Sequence, residues 1–172
     1  MKIIVYFEDL KLRSWNIDDA LDLSIAGSNP DVESNMNDGF PNPYTIEKAM
    51  QFIEASHESD NLLLAIEIQG KVIGSIGAFF DKYDRTTAKI AYFIGREYWN
   101  KGIGTNAIKA ITSYLVEEKG IVKIIAEPFE RNIGSRKALE KAGFTLKEIV
   151  INGNAKAGIV INSCRYEYIK IV

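Results

Sequence analysis

The chain has 172 residues, the size of one domain, and its 47% hydrophobic and 26% charged residues are ordinary values for a globular protein. The 21 Lys and Arg residues balance 23 Asp and Glu residues to a net charge of −2, so no overall positive field attracts nucleic acid. One cysteine and one histidine exclude an internal disulfide and a four-ligand zinc site, and we expect no metal. The longest uncharged apolar run, Val72 to Phe80, is far shorter than the roughly 20 residues of a membrane span. We therefore expect a single domain over residues 1–172, located in the cytoplasm, with no nucleic-acid or membrane partner.

The first third of the chain predicts one strand and two helices. Leu10–Trp15 alternates apolar and polar residues, which is typical of a strand. Asn16 can cap a helix that begins at Ile17 and ends near Gly27. The following residues 31–43 have no periodicity and contain two prolines, so we expect a long loop of the kind that often carries function. Thr45 can cap the next helix, whose apolar residues recur every three or four positions.

The middle of the chain predicts an antiparallel meander. Residues 61–68 and 71–80 are two apolar strands joined by a tight turn at Gln69–Gly70, and residues 87–95 form a third strand. Three consecutive strands without intervening helices argue against a βαβ series.

The last part of the chain alternates helices and strands. We expect helices over Gly102–Lys119 and Ile133–Ala142, and strands over 121–127, 144–151 and 165–171, with the Gly- and Asn-rich residues 152–158 as a connection. The fold class is therefore α/β in the broad sense, an α+β mixed sheet with helices packed on it.

The segment between the third meander strand and the next helix has the composition of an anion site. Its two glycines let the backbone approach a ligand closely, and a helix N-terminus presents unpaired N–H groups at a positive dipole end. The predicted phosphate-binding residues are Lys101, Gly102, Ile103, Gly104 and Thr105.

Two known phosphate-binding motifs, the dinucleotide motif and the P-loop, do not explain this segment. Gly102–Ala107 fits the dinucleotide pattern G-x-G-x-x-G/A, and Glu127 ends the next strand. However, antiparallel strands precede the motif, and the 68 residues after Gly104 are too few for the βαβ units of a dinucleotide fold. The P-loop fails because no Gly-Lys-Ser/Thr follows at the required spacing.

A second constellation lies at 132–144, where Asn132 is a good helix N-cap and Ser135 is its third helical position. These two residues either only cap the helix or face a ligand between this helix and the glycine-rich one.

Together the two segments resemble the GNAT superfamily of N-acetyltransferases, and more closely its ribosomal-protein alanine and serine N-acetyltransferase branch. Leu12–Trp15 with Asp18–Ala20 is similar to that branch's opening strand and helix, and Val72–Gly77 to its central hairpin. The resemblance implies a mostly antiparallel central sheet, helices on both faces, and acetyl-coenzyme A as acetyl donor at the glycine-rich turn.

The resemblance also implies roles for individual residues. The strand ending with Phe93 and Ile94 should splay from the strand after the helix, so that the pantetheine arm of the cofactor fills the gap. Asn132 should contact the cofactor near its thioester, and Ser135 should lie near its sulfur and protonate the leaving thiolate. A backbone N–H near Phe93 or Ile94 is the candidate donor to the developing oxyanion.

The sequence departs from the family pattern at two positions that bear on proton transfer. Many relatives carry a tyrosine acid where this chain has Leu139, and the branch often has a glutamate where this chain has Lys89. No base can be copied from the family, and the candidates are water or a nearby carboxylate such as Glu127. Because an α-amine has a pKa of about 7.7–8.0 and a lysine about 10.4, an α-amine acceptor demands less of a weak base.

The predicted function is acetyl transfer to a primary amine, in a peptide or protein N-terminus or a small molecule. A regulatory domain that binds coenzyme A without catalysis and a structural partner protein without a cofactor are the alternatives. The sequence does not name the acceptor, and a homodimer is an open option.

Overall fold

The structure is a computed structural model that describes residues 2–171. Its strands are β1 (Ile4–Phe7), β2 (Leu10–Ser14), β3 (Leu62–Ile68), β4 (Lys71–Phe80), β5 (Thr87–Ile94), β6 (Lys123–Ala126), β7 (Thr145–Lys156) and β8 (Ile159–Ile169). Its α-helices are α1 (Ala20–Gly27), α2 (Pro30–Glu33), α3 (Ile46–Glu58), α4 (Ile103–Lys119) and α5 (Ile133–Lys141).

All eight strands join one sheet in the order β1-β2-β3-β4-β5-β6-β8-β7. Every neighbouring pair is antiparallel except β5 and β6, which are parallel because α4 crosses over between them. The predicted fold class, a mostly antiparallel mixed sheet with helices, is confirmed.

The helices cover the two faces of the sheet. On one face, Ile108, Ile111 and Leu115 of α4 pack with sheet residues such as Leu64 and Ile76. On the other face, Leu23 of α1 and Ile53 of α3 form a second cluster with Trp15, which follows β2, and with the sheet residues Val72 and Phe93. Because side chains alternate along a strand, β5 contributes Ile94 to the first cluster and Phe93 to the second.

The first helix begins later than the sequence predicts. Asn16 does cap a helical start, since its side chain accepts from Asp18 N–H and forms a capping box with Asp19. The residues Ile17–Asp19 are a 3-10 turn, however, and the α-helix begins at Ala20. Short 3-10 turns are common at helix N-termini, so the cap marks the turn and not the helix proper.

Three further expectations need correction. The strand β1 was not predicted, and it pairs with β2 in the register Ile4 with Arg13. The expected loop 31–43 begins inside α2, a one-turn helix capped by Asn29. The residues 152–158 are not simply a connection, because β7 continues to Lys156 and the turn itself is Ala157–Gly158.

A bulge explains why the composition of β7 was misleading. The β7–β8 register shifts between Val150 and Asn154, and Asn152 lies at φ 55° inside that shift. A Cβ at Gly153 would lie 2.8 Å from Val150 Cγ1, so the bulge requires a glycine there. Asn152 and Gly153 therefore belong to a bulge within β7 and not to a loop between two strands.

Candidate functional site

The parallel strands β5 and β6 separate partway along their length. They pair from Thr87 with Lys123 to Ile90 with Ala126, and β5 then continues to Ile94 without a β6 partner. Gly95 N–H donates to Ile73 O on β4 at 2.8 Å. Since backbone groups alternate direction along an antiparallel strand, Ile94 N–H points away from β4 and toward the gap, whereas Phe93 N–H faces β4.

The carbonyl of Ile94 is also turned away from β4. It accepts a hydrogen bond of 2.8 Å from the indole Nε1–H of Trp99, in the turn that leads to α4. The Arg96 guanidinium lies over the Trp99 ring, 4.6 Å from its centroid. The end of β5 and the glycine-rich turn are therefore tied together by a side chain.

The N-terminus of α4 is open to a ligand. Its N-cap is Gly102 at φ 77°, which makes no side-chain capping bond, and the first turn holds no acidic residue. A Cβ at Gly102 would meet no atom within 4 Å. In contrast, Thr45 caps α3 through Lys48 N–H. The uncapped N–H groups of α4 fit an anionic group such as a phosphate.

The helix α5 presents Asn132 and Ser135 to the same gap. Asn132 caps the helix, because its Oδ1 accepts from Ser135 N–H at 3.2 Å. The Ser135 hydroxyl makes a different contact, since Oγ accepts from the Tyr92 phenol at 3.0 Å. Ser135 is therefore not the capping side chain of this turn.

Tyr92 is a site residue that the sequence analysis missed. It lies on the end of β5 that has no β6 partner, and its side chain is half-buried. Burial raises the pKa of its phenol above the usual value, and the hydrogen bond with Ser135 offsets part of that rise. Only the three-dimensional contact with Ser135 identifies it, and nothing in the local sequence marks it.

The candidate base Glu127 is paired with a cation. Its Oε1 lies 2.7 Å from Lys89 Nζ, with the Lys89 side chain 52% and the Glu127 side chain 32% exposed. The lysine that departs from the family pattern thus reaches the carboxylate that the sequence analysis selected. An approaching ammonium group would compete with Lys89 for this carboxylate.

Two segments far apart in sequence form a wall on the other side of the gap. The Lys156 ammonium near the β7–β8 turn lies 2.6 Å from Glu33 Oε1 of α2, and Ala157 N–H donates to Asp38 Oδ1 at 3.0 Å. Arg131 Nη2 donates to Ser34 O at 2.7 Å. These contacts hold α2 and the segment after it against the β7–β8 hairpin and against the loop before α5.

All of these parts surround one cleft of about 890 Å³. Predicted residues that line it are Phe93, Ile94, Gly102, Ile103, Gly104, Thr105, Glu127, Asn132 and Ser135. Lys101 is exposed beside the cleft, with its ammonium 5.7 Å from the Tyr98 ring centroid, and is not part of the lining. Val32, Asn35 and Met36 from the loop 31–45, and Asn154 from the residues 152–158, also line the cleft, and both segments were expected to shape the acceptor pocket. Lining residues that were not predicted include Arg131 and Ser163.

The splayed parallel pair, the uncapped glycine start of α4 and the polar start of α5 form one cleft that combines an anion site with an unpaired strand edge. The family model described as "Acetyltransferase (GNAT) domain" matches residues 9–145. The chain therefore belongs to the GNAT acetyltransferases, which move an acetyl group from acetyl-coenzyme A to an amine.

Two curated relatives are N-acetyltransferases by name. The chain is 35% identical over 89 residues to the probable N-acetyltransferase YjcK of Bacillus subtilis, a match that covers 48% of this chain and 49% of that protein. The chain thus spans about half the length of that relative. It is 24% identical over 173 residues to the uncharacterized N-acetyltransferase p20 of Bacillus licheniformis, with 96% of each chain covered.

Solved structures share the fold across almost the whole chain. The microcin C7 self-immunity acetyltransferase MccE, in complex with acetyl-CoA and AMP, has a TM-score of 0.83 and 23% identity, covering 95% of this chain and 93% of its own. The ribosomal L7/L12 alpha-N-protein acetyltransferase RimL, in complex with coenzyme A, has a TM-score of 0.85 and 15% identity, covering 97% and 98%. At these identities the likeness concerns the fold.

No helix among residues 2–171 is both long enough and apolar enough to cross a membrane.

Proposed function

We propose that this acetyltransferase acts on a primary α-amine, at a peptide or protein N-terminus or in a small molecule. The observation that carries the proposal is the convergence of three elements on one cleft: the uncapped start of α4, the unpaired end of β5 and the first turn of α5. Each supplies a different need of acetyl transfer. These needs are a site for phosphates, a donor for developing negative charge, and a hydroxyl for the leaving sulfur.

The cofactor would be held by the backbone at the start of α4 and by the splayed edge of β5. Bound there, acetyl-coenzyme A supplies an acetyl group activated as a thioester. Gly102, Ile103, Gly104 and Thr105 fit the phosphates because their N–H groups carry no side-chain cap. Lys101 would add a positive charge from outside the cleft.

The oxyanion donor in this proposal is Ile94 N–H. It points into the gap, whereas the alternation of the strand turns Phe93 N–H toward β4. A fixed backbone donor stabilises developing charge without reorganising during the reaction. Phe93 would contribute its backbone and its ring to the shape of the cleft.

Near the reacting centre, Asn132 would orient the thioester and Ser135 would donate a proton to the sulfur. Asn132 Oδ1 is already occupied by Ser135 N–H, so the amide NH2 is the part of Asn132 free to donate. The pairing of Ser135 Oγ with Tyr92 instead of a helix carbonyl favours a role in the cleft.

Glu127 would accept a proton from the acceptor amine, directly or through water. The Lys89 ammonium already pairs with one of its oxygens, so the ammonium of an incoming lysine side chain would compete with Lys89 for this carboxylate. An α-amine has a pKa of about 7.7–8.0, so roughly a tenth of it is neutral at pH 7 and a weak base suffices. The named activity of RimL on an alpha-amine is in line with this acceptor class.

A small-molecule acceptor remains part of the proposal because MccE is described with AMP bound beside acetyl-CoA. The cytoplasmic location and the homodimer stay predictions.

The test is release of free coenzyme A thiol with a panel of acceptors. We expect turnover with short peptides that begin with Ala or Ser, or with a small α-amine, and much slower turnover with the same peptides acetylated at the N-terminus and carrying an internal lysine. The variant Glu127→Gln should lower kcat/KM for the acceptor, whereas Glu117→Gln on exposed α4 should not. Thermal stabilisation by acetyl-coenzyme A without turnover of any amine would favour a regulatory coenzyme A-binding domain instead.

A further inference from the structure

Tyr92 connects the three elements that converge on the cleft, which are the end of β5, the start of α4 and the start of α5. Tyr92 lies on the end of β5 that has no β6 partner. Its phenol donates a hydrogen bond of 3.0 Å to Ser135 Oγ on α5. Its ring edge also lies against α4, because a Cβ built on Gly104 would be 3.7 Å from both Tyr92 Cε2 and its oxygen. The phenol therefore lies between the first turns of α4 and α5, directly behind the Ser135 hydroxyl.

The direction of this hydrogen bond determines what Ser135 can do. A serine hydroxyl has one hydrogen to donate and lone pairs to accept with. Since Oγ accepts from Tyr92, the hydrogen of Ser135 stays available for a group in the cleft. Because Asn132 satisfies the Ser135 N–H, the Ser135 hydroxyl has no capping duty that would hold that hydrogen elsewhere.

The helix position one turn further along α5 supplies no proton. Leu139, one helical turn after Ser135, is buried and apolar, and it occupies the position where many GNAT relatives carry an acidic tyrosine. The tyrosine of this chain that reaches the Ser135 hydroxyl comes from the strand instead of the helix. Burial keeps the pKa of Tyr92 above its usual value, so the phenol stays protonated throughout the neutral range.

We propose that Tyr92 is a positioning residue for proton delivery, which acts through Ser135 on the departing sulfur. This inference rests on the proposed acetyl transfer. As the amine nitrogen bonds to the acetyl carbon, the C–S bond breaks and its electron pair moves to sulfur. Ser135 gives its hydroxyl proton to that sulfur and takes the phenolic proton of Tyr92. The amine loses its proton to Glu127, which passes it to solvent, and Tyr92 recovers a proton from solvent.

The kinetic test is a double-mutant cycle of Tyr92→Phe and Ser135→Ala. Tyr92→Phe keeps the ring and should lower kcat about three- to tenfold, the range expected for one neutral hydrogen bond. The KM for acetyl-coenzyme A should stay within about twofold. In the Ser135→Ala background, Tyr92→Phe should lower kcat by less than about twofold, because Tyr92 then has no hydroxyl to act through. Tyr114→Phe on α4, which also removes one phenol, should be neutral in both backgrounds.

A second measurement needs no turnover. Absorbance titration of the ligand-free protein, wild type minus Tyr92→Phe, isolates one of the 8 tyrosines. In the phenolate form the Ser135 hydroxyl can turn and donate to Tyr92, which lowers the Tyr92 pKa. Ser135→Ala should therefore move this midpoint to higher pH, while the Tyr114 midpoint should not move.

The outcomes separate this inference from the proposed function. An equal loss of kcat from Tyr92→Phe in both backgrounds would make Tyr92 merely structural and overturn the inference. So would an unchanged Tyr92 midpoint in Ser135→Ala, whether or not the wild type acetylates an amine. Absence of wild-type turnover with a normal midpoint shift would contradict the acetyl transfer and, with it, the relay to sulfur.

Discussion

We assign one half of the cleft to the cofactor and the opposite half to the amine, and these two halves, called the donor half and the acceptor half, are built by different means. The donor half consists of the start of α4, the end of β5 and the start of α5, and its groups are mostly backbone N–H donors. The acceptor half consists of the segment after α2 and the β7–β8 hairpin. It is held by side-chain charges, above all the Lys156–Glu33 pair between residues 123 positions apart. Local backbone geometry fixes the first half, and long-range ion pairs fix the second.

This difference predicts that mutations can damage one half and spare the other. A change at the start of α4 should affect the cofactor and leave the acceptor wall intact. A change in the Lys156 contacts should do the reverse, because the start of α4 and the Lys156 contacts share no hydrogen bond among those described. Arg131 and Arg96 link the halves elsewhere, through Ser34 O and Asp31.

The largest effect should come from Gly104→Val in the donor half. A Cβ at Gly104 would make only ordinary contacts of 3.6 Å with Ile94 and 3.7 Å with Tyr92, so the fold should survive. The branched side chain would, however, cover the N–H groups of the first turn of α4. We expect the Kd for acetyl-coenzyme A to rise by at least about 100-fold. At a ligand concentration 100 times the wild-type Kd, stabilisation should fall from about 2.7 to about 0.4 kcal/mol.

Ser113→Val is the matched control, since it places the same residue on the exposed part of the same helix. NAD should stabilise none of these proteins. Undiminished affinity of a folded Gly104→Val protein for acetyl-coenzyme A would show that the phosphates bind elsewhere.

The next effect should come from Lys156→Ala in the acceptor half. The Lys156 side chain is only 10% exposed, and its loss leaves the Glu33 carboxylate without a cation. Hydrogen bonds to charged groups contribute about 1.5–3 kcal/mol, and we expect the free energy of unfolding to fall by about that amount. We also expect kcat/KM for the acceptor to fall about tenfold, which corresponds to about 1.4 kcal/mol. The Kd for acetyl-coenzyme A should not change.

Lys147→Ala, on the same strand and exposed, is the control for Lys156→Ala. A comparable loss of cofactor affinity in Lys156→Ala would mean that the two halves are not separable.

The smallest effect should come from Lys89→Met, at the border between the halves. Exposed ion pairs contribute about 0.2–1 kcal/mol, so stability should hardly change. If Glu127 accepts the proton of the acceptor, removing its cation should raise kcat/KM at pH 7 by about two- to fivefold. Lys82→Met, in the exposed β4–β5 turn, should have no effect. No gain in Lys89→Met together with full activity in Glu127→Gln would remove Glu127 as the base.

The sequence predicted the donor half well because its signals are local. The glycines of the turn, the Asn132 cap and the terminal Gly120 of α4 each act within a few residues, and the structure has each of them where the pattern indicates. The same reasoning failed at β1, a short edge strand whose only partner is β2.

The two segments of the acceptor half were expected to shape the pocket, but the contacts that hold them together could not be predicted because they are not local. Glu33 and Lys156 look like ordinary surface charges until the fold brings them together. Asn152 and Gly153 have the composition of a loop, although they form a bulge within a strand. Tyr92 is one of several aromatic residues in a strand, and its hydrogen bond depends on α5 lying beside β5.

The indole of Trp99 preorganises the donor half of the cleft. By donating to the Ile94 carbonyl, it fixes the last residue of β5 relative to the turn before α4. The backbone donors for the two ends of the cofactor are thus preorganised, and little conformational entropy is left to lose when the ligand arrives. Affinity at this half should therefore reflect direct contacts with the cofactor and not the folding of a loop around it.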